Sequence, residues 1–114
     1  MNDNQKHAEQ AFNNFAEFYA FYLQEHSHPI CRALHYIAST GVLAVIAFAV
    51  ITAQPVVLLL IPVVGYSFAW IGHFIFEKNK PATFKYPFYS FISDWVMFKD
   101  FLLGRFRNED SPYK

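Results

Sequence analysis

The chain has 114 residues, enough for one domain, and its nine basic and nine acidic side chains cancel. This balance gives no electrostatic case for a nucleic-acid partner, and the single cysteine, Cys31, excludes an internal disulfide framework. Hydrophobic residues make up 54% of the chain and charged residues only 16%, well below the roughly 25% of soluble domains. An integral membrane protein is therefore predicted.

The first predicted element is an amphipathic helix over about residues 3–25. Aromatic side chains recur there at three- and four-residue steps: Phe12, Phe15, Tyr19 and Tyr22. The helix is expected to end near Ser27, because Pro29 suits the first turn of a following helix. The polar start of the chain has no apolar core, so a signal peptide is not predicted.

Two membrane spans are predicted next, over residues 36–53 and 56–76. No Asp, Glu, Lys or Arg occurs from Ala33 to Phe76, and Gln54-Pro55 divides this stretch. A bilayer-spanning helix needs about 20 apolar residues, so the stretch accommodates two. The alternative is a buried helical hairpin in a soluble protein, but a domain of this size could hardly cover both helices on all sides.

Basic residues flank only one end of this hairpin. The TAQP connection has none, whereas four lie beyond the outer ends of the spans: Arg32, Lys78, Lys80 and Lys85. Because cytoplasmic flanks are rich in Lys and Arg, both hairpin ends and both termini are expected in the cytoplasm.

After the hairpin, KNKPATFKYP is predicted to be a loop, and residues 88–106 a fourth, aromatic helix. Asp94, Lys99 and Asp100 interrupt this helix, so it either spans the membrane or lies at its interface. The predicted fold is all-α: one membrane-embedded domain over residues 1–114, a bundle of about four helices with a central transmembrane hairpin. Exposed aromatic faces make a homodimer possible.

Two histidines are predicted to face each other at the cytoplasmic end of the hairpin. His35 and His73 each lie 19 residues from Gln54, so an antiparallel pair of helices puts them at nearly the same depth. The second span also aligns four side chains on one helical face: Tyr66, Trp70, His73 and Glu77.

A strip of small residues lies beside that face: Gly65, Ala69 and Gly72. Such a strip lets membrane helices approach closely. His73 and Glu77 are therefore expected to point into the bundle, where ionisable groups are costly and indicate function.

A metal site is one interpretation of these residues. Imidazoles with a carboxylate suit iron or zinc, and His26, His35 and His73, with or without Glu77, would form one cluster. Alternatively, the histidines cap helix ends or form hydrogen bonds at headgroup level. Cys31, one turn before His35, would favour zinc as a thiolate ligand, or it packs as a small apolar residue.

The segments FYLQEHSHPICRALHYIAST and GHFIFEKNKPATF resemble a family of small membrane proteins, long described only as a domain of unknown function. The family includes the yeast 2-hydroxy-fatty-acid dioxygenase of phytosphingosine breakdown. The shared pattern has an Arg-x-x-His step, two spans and Gly-His-x-x-x-Glu-x-x-x-Pro-Ala, and it extends over about Phe15 to Gly104. Many members have Asn in place of Cys31, and KNKPAT also departs from the yeast sequence.

The resemblance implies an Fe(II)-dependent dioxygenase of fatty-acid α-oxidation, which shortens a 2-hydroxy fatty acid by one carbon with O2. The family's histidines correspond to His26, His35 and His73, and Glu77 falls on its acidic position, giving the expected catalytic and metal-binding set. The substrate and the membrane lipids are the expected partners. Three residues are candidate contacts for the substrate: Lys78, Asn79 and Lys80. The substrate carboxylate could pair with one of the two lysines. Lysines flanking a span are otherwise topology markers and interfacial anchors.

Two alternatives remain at this point. The first is a small non-catalytic membrane protein whose polar cluster joins the helices. The second is a zinc-dependent membrane protein that uses Cys31 with His35.

Overall fold

The computed structural model describes residues 12–106, which are helical with no strand among them. They form two compact units. The hairpin unit comprises His26–Lys80, and the terminal unit comprises residues 12–25 and 81–106. The predicted all-α fold class is confirmed.

Helix α1, Phe15–Glu25, begins later than predicted. Asn14 caps it, because the Asn14 Oδ1 accepts the backbone N–H of Glu17 at 2.9 Å. The Glu17 carboxylate in turn accepts the N–H of Asn13 at 2.9 Å, a variant of the capping box. Residues 12–14 therefore precede the helix, and the rest of the predicted start, residues 3–11, lies outside the described residues.

Helix α2, Pro29–Thr52, is the first predicted span extended by two turns at its start. The Nδ1 of His28 accepts the N–H of Ile30 at 3.1 Å, and Pro29 occupies the first turn as predicted. The helix stops at Thr52 because Ala53 adopts a left-handed conformation with φ 53°.

The second predicted span is one helical stretch, Pro55–Glu77, with three kinds of turn. A 3₁₀-helix over Pro55–Leu60 leads into α3, Ile61–Ile71, and a π-helical turn covers Gly72–Glu77. Pro62 lies in the first turn of α3, a position that suits proline because its missing N–H would have no partner within that helix.

Both long helices of the hairpin unit are long and apolar enough to cross a membrane. The Pro55–Glu77 stretch exposes most of its apolar side chains, among them Val56, Leu59 and Val63. The core helix of a soluble protein would bury such residues, so this exposure favours a lipid environment.

The terminal unit pairs α1 with α4, Pro87–Leu102. Phe18 is fully buried, and its ring packs against Tyr86 and Tyr89 at centroid distances of 5.3 and 5.2 Å. A short 3₁₀-helix, Ala82–Phe84, precedes α4 within the predicted loop.

Helix α4 ends four residues before the predicted boundary at residue 106. Gly104 has a left-handed φ of 76°, and the N–H of Arg105 donates to the carbonyl of Asp100 at 2.9 Å. The N–H of Gly104 also donates to the carbonyl of Phe101 at 3.0 Å, and the two bonds form a Schellman motif, which terminates the helix.

Candidate metal centre

Three histidines meet inside the hairpin unit. His26 lies two residues before the N-cap of α2, and His35 lies in α2, one turn after Cys31. His73 lies in the π-helical turn. All three side chains are buried, with 1%, 5% and 1% exposure respectively. The predicted meeting of His35 and His73 is confirmed, because their ring centroids are 5.1 Å apart.

The Nε2 atoms of the three rings point toward one another. The Nε2 of His26 lies 3.2 Å from that of His35 and 2.8 Å from that of His73. Neighbouring rings are nearly perpendicular, with interplanar angles of 80 to 88°. The cluster therefore presents three Nε2 atoms to one small volume.

The outer nitrogens of two rings define their tautomers. The Nδ1 of His35 lies 2.8 Å from the carbonyl oxygen of Cys31, and the Nδ1 of His73 lies 2.7 Å from the Oδ1 of Asn79. Neither oxygen can donate a proton, so each Nδ1 carries the hydrogen and donates it. In the neutral rings, the Nε2 atoms of His35 and His73 then carry lone pairs directed inward.

This arrangement fits a metal ion. A metal-bound histidine typically donates its other N–H to a carbonyl or carboxylate, as His35 and His73 do here. Two imidazole nitrogens bound to one metal at about 2.1 Å lie about 3.0 to 3.4 Å apart, close to the separations found among these Nε2 atoms. His26 can offer at most one Nε2 proton to its two neighbours, so among the three rings lone pairs outnumber protons.

Cys31 belongs to the same group. One potential ligand atom from each of four buried residues lies within 4.8 Å of all the others: His26, Cys31, His35 and His73. The Sγ of Cys31 is 3.8 Å from the Nδ1 of His35. A donor set of three imidazoles and a thiol is compatible with zinc as well as iron.

Glu77 lies outside this group. Its carboxylate accepts hydrogen bonds from the backbone N–H of His28 and, at 3.4 Å, from the hydroxyl of Ser27. Glu77 thus holds the turn that immediately follows His26. It connects that turn to the segment carrying His73, which suits a positioning role.

Gly72 permits the close approach of α2 to the π-helical turn. A methyl group added at Gly72 would lie 2.9 Å from the Sγ of Cys31 and 3.2 Å from its Cα. The same chain segments carry His35 and His73, so Gly72 allows the two imidazoles to meet. The predicted small-residue strip contributes to helix approach at this position.

The four residues predicted to share one face of the second span are not equally buried. His73 is buried, but Tyr66 and Trp70 are 47% and 41% exposed. The π-helical turn begins at Gly72, and its wider winding interrupts the 3.6-residue periodicity on which that prediction depended.

The three candidate substrate residues follow the π-helical turn. Lys78 ends it in a left-handed conformation with φ 58°, and both Lys78 and Lys80 are exposed. Asn79 donates its backbone N–H to the carbonyl of His73 at 3.1 Å, in addition to accepting the imidazole proton. This double contact was not anticipated, because it requires the chain reversal at Lys78.

A scan against protein-family models matches residues 12–106 to a family described as "2-hydroxy-palmitic acid dioxygenase Mpo1-like". No curated protein and no solved structure matches the chain. The family match covers the three histidines of the cluster, together with Cys31 and Asn79.

Proposed function

Because this chain belongs to the Mpo1-like family, we propose that it is an Fe(II)-dependent dioxygenase that shortens a 2-hydroxy fatty acid by one carbon. The observation that carries the proposal is the convergence of three buried Nε2 atoms, at 2.8 and 3.2 Å from His26 to its neighbours. The printed description of the family supplies the substrate class. The Nε2 donors support a metal-dependent reaction.

The proposed reaction balances without a further reductant. A 2-hydroxy acid and O2 yield the acid one carbon shorter, carbon dioxide and water. The bond between the carboxyl carbon and the carbinol carbon breaks, and the substrate itself supplies all the electrons that O2 accepts. The absence of a nucleotide-binding motif from the sequence is consistent with this stoichiometry.

His26, His35 and His73 would hold the ion, and bound iron would supply the reactivity toward O2 that side chains lack. Asn79 and the carbonyl of Cys31 keep the Nδ1 protons outward, so that the Nε2 lone pairs remain available. Glu77 keeps the turn after His26 in place through its hydrogen bonds with Ser27 and His28. The sequence analysis also predicted Glu77 as a metal ligand, and that role stays a prediction.

The exposed ammonium groups of Lys78 and Lys80 lie in the segment that follows His73, which suits them to attract the substrate carboxylate. The acyl chain would remain in the bilayer, with α2 and the Pro55–Glu77 helix crossing it. The basic flanks Arg32 and Lys78 favour the cytoplasmic side for this end of the hairpin.

The test is the metal content and activity of protein purified anaerobically in detergent. We expect about one iron per chain in the wild type and oxygen-dependent shortening of 2-hydroxypalmitate. The double variant His35→Ala, His73→Ala should lose both while keeping its helical circular dichroism. Absence of iron from wild type reloaded with Fe(II) would contradict the proposal.

A matched control uses a histidine outside the cluster. His28 caps α2, and asparagine is a good N-cap residue, so His28→Asn should keep both metal and activity. Iron loss from this variant as complete as that from the double variant would indicate that the histidine effect is structural.

A second candidate is a zinc-dependent protein, favoured by the position of Cys31 among the potential ligands. Zinc in the purified protein, lost on Cys31→Ser, would support this candidate. Iron retained by Cys31→Ser would instead support the dioxygenase.

A further inference from the structure

Helix α4 buries its polar side and exposes its apolar side. Its buried side chains recur at steps of three and four residues: Ser90, Ser93, Met97 and Asp100. Three of these four are polar, and they pack within the terminal unit, where Tyr19 of α1 donates to Asp100. A helix at the surface of a water-soluble protein has the opposite arrangement.

The outer arc of α4 comprises Phe88, Phe91, Ile92, Trp95, Lys99 and Leu102, which recur at helical spacing. Phe88 is 84% exposed, Phe91 64% and Leu102 65%. Trp95 is half-buried, and the side chain of Lys99 is 55% exposed. An aromatic and aliphatic surface thus runs along the full length of the helix.

The outer arc of α1 is different in character. Its exposed residues are small or polar: Ala16, Glu17, Ala20 and Gln24. The two helices of the terminal unit therefore bury a common interface and present unlike outer surfaces. Such a pair is amphipathic as a whole, with one surface suited to water and the other to hydrocarbon.

We propose that the outer arc of α4 lies against the acyl chains of the bilayer, while the outer arc of α1 faces water. Helix α4 has 16 residues and is about 24 Å long, shorter than the roughly 30 Å hydrocarbon core. It therefore lies in the interface rather than crossing the membrane. This assignment is independent of the dioxygenase proposal.

The charge of Lys99 favours lipid over a second copy of the chain. Its Nζ lies 3.8 Å from the Oδ1 of the buried Asp100, and its side chain is still 55% exposed. It is the only charged residue of the outer arc of α4, so a symmetric pairing through this arc would bring two lysines together and offer neither a further carboxylate. Against a bilayer, its alkyl stem can lie along the apolar surface while its ammonium group reaches the phosphates. The half-buried Trp95 suits the same depth, where indole rings concentrate.

Trp95 provides a direct probe, because the chain has only two tryptophans. The Trp70→Phe variant leaves Trp95 as the sole indole in the outer arc of α4. In phosphatidylcholine vesicles with brominated acyl chains we expect loss of most of its emission. Aqueous iodide should quench it little.

The matched control places an indole on the outer arc of α1. In a Trp70→Phe, Trp95→Phe background, the Ala20→Trp variant should respond in the opposite way, with strong quenching by iodide and little by bromolipid. Phe91→Trp in the same background tests the outer arc of α4 at a second position and should behave as Trp95 does. Circular dichroism checks that each variant is folded.

Quenching of Trp95 and of the Phe91→Trp indole by iodide, without quenching by bromolipid, would overturn the proposal. Protection of both from both quenchers would also overturn it and indicate a protein partner on this arc. Bromolipid quenching confined to the two α4 positions would support it.

Discussion

The two units of the chain each bury polar side chains, but they satisfy them differently. In the terminal unit, two tyrosine–carboxylate pairs match donor to acceptor: Tyr19 donates to Asp100 at 2.8 Å, and Tyr22 donates to Asp94. Among the described residues of this unit, the buried hydroxyls of Ser90 and Ser93 have no such partner. In the hairpin unit, three imidazoles point the same nitrogen at one another. Their lone pairs outnumber the protons they can share.

This difference distinguishes buried polar groups that stabilise the fold from buried polar groups that can bind a metal ion. A tyrosine–carboxylate pair is complete in itself and stabilises the contact between two helices. Two imidazoles whose Nδ1 protons are donated outward, as those of His35 and His73 are, direct Nε2 lone pairs inward and can accept a cation. Disturbing the hairpin unit should therefore change metal binding, whereas disturbing the terminal unit should change stability alone.

The largest effect should come from Gly72→Ala. The added methyl group would meet Cys31 at 2.9 Å from the Sγ and 3.2 Å from the Cα, so backbone must move. Overpacking of this kind costs about 1–3 kcal/mol, and it should separate His35 from His73. We expect the iron content of the purified protein, measured by plasma emission spectrometry, to fall to a small fraction of the wild-type value.

Gly65→Ala is the matched control for this change. Its methyl group would lie 3.8 Å from a Val42 methyl, an ordinary contact, and the intrinsic helix preference changes equally in both variants. Iron should remain bound. Equal iron content in the two variants would show that close approach at Gly72 is not needed for the site.

Asn79→Leu should have the next largest effect. It removes the acceptor 2.7 Å from the Nδ1 of His73, so that ring is no longer held in the required tautomer. Loss of such an outer partner typically lowers metal affinity about 10–100-fold. Anaerobic titration with Co(II), followed by its visible absorption, measures the change.

Asn79→Asp keeps an oxygen acceptor and should restore most of the affinity. An equal loss of Co(II) affinity in the Asn79→Leu and Asn79→Asp variants would instead indicate that the side-chain amide itself contacts the ligand or substrate. The sequence analysis predicted such a substrate contact for Asn79.

In the terminal unit, Tyr19→Phe should reduce stability without loss of metal. The fully buried Asp100 would lose one donor but keep Arg105, whose Nη1 lies 3.2 Å from its carboxylate, and Lys99, whose Nζ lies 3.8 Å from it. A hydrogen bond to a charged group contributes about 1.5–3 kcal/mol, and we expect a loss near the lower end. Thermal unfolding in detergent and iron content, measured on the same preparation, test both halves of this prediction.

The main outline of both units was predictable from the sequence because it depends on hydropathy. An uncharged stretch divided at Gln54-Pro55 predicts a helical hairpin, and equal distances from that point predict the meeting of His35 and His73. Neither inference needs atomic detail, since each depends on the length and rise of a helix.

Helix ends and ligand orientation were less predictable. The start at Phe15 depends on the side chain of Asn14, and the end at Leu102 on the left-handed Gly104; both are local signals that a search for apolar periodicity passes over. The contacts of Glu77 and Asn79 depend on the π-helical turn and the reversal at Lys78. No regular 3.6-residue pattern contains that information.

The smallest effect concerns Asp94 and appears only as pH changes. Burial raises the pKa of Asp94 from an ordinary value near 3.8 to about 7, against the opposing effect of the hydrogen bond from Tyr22. The folded state thus binds this proton more tightly than the unfolded chain. Its contribution to stability is full below about pH 4 and is lost as pH rises through about 7.

Two substitutions test the assignment in opposite directions. Asp94→Asn removes the titrating group, so the fall in unfolding temperature between about pH 4 and pH 8 should flatten. Tyr22→Phe removes the hydrogen bond that favours the charged form, so the fall should extend to higher pH. An unchanged pH profile in both variants would place the titration on another group, whereas opposite changes would assign it to the Tyr22–Asp94 pair.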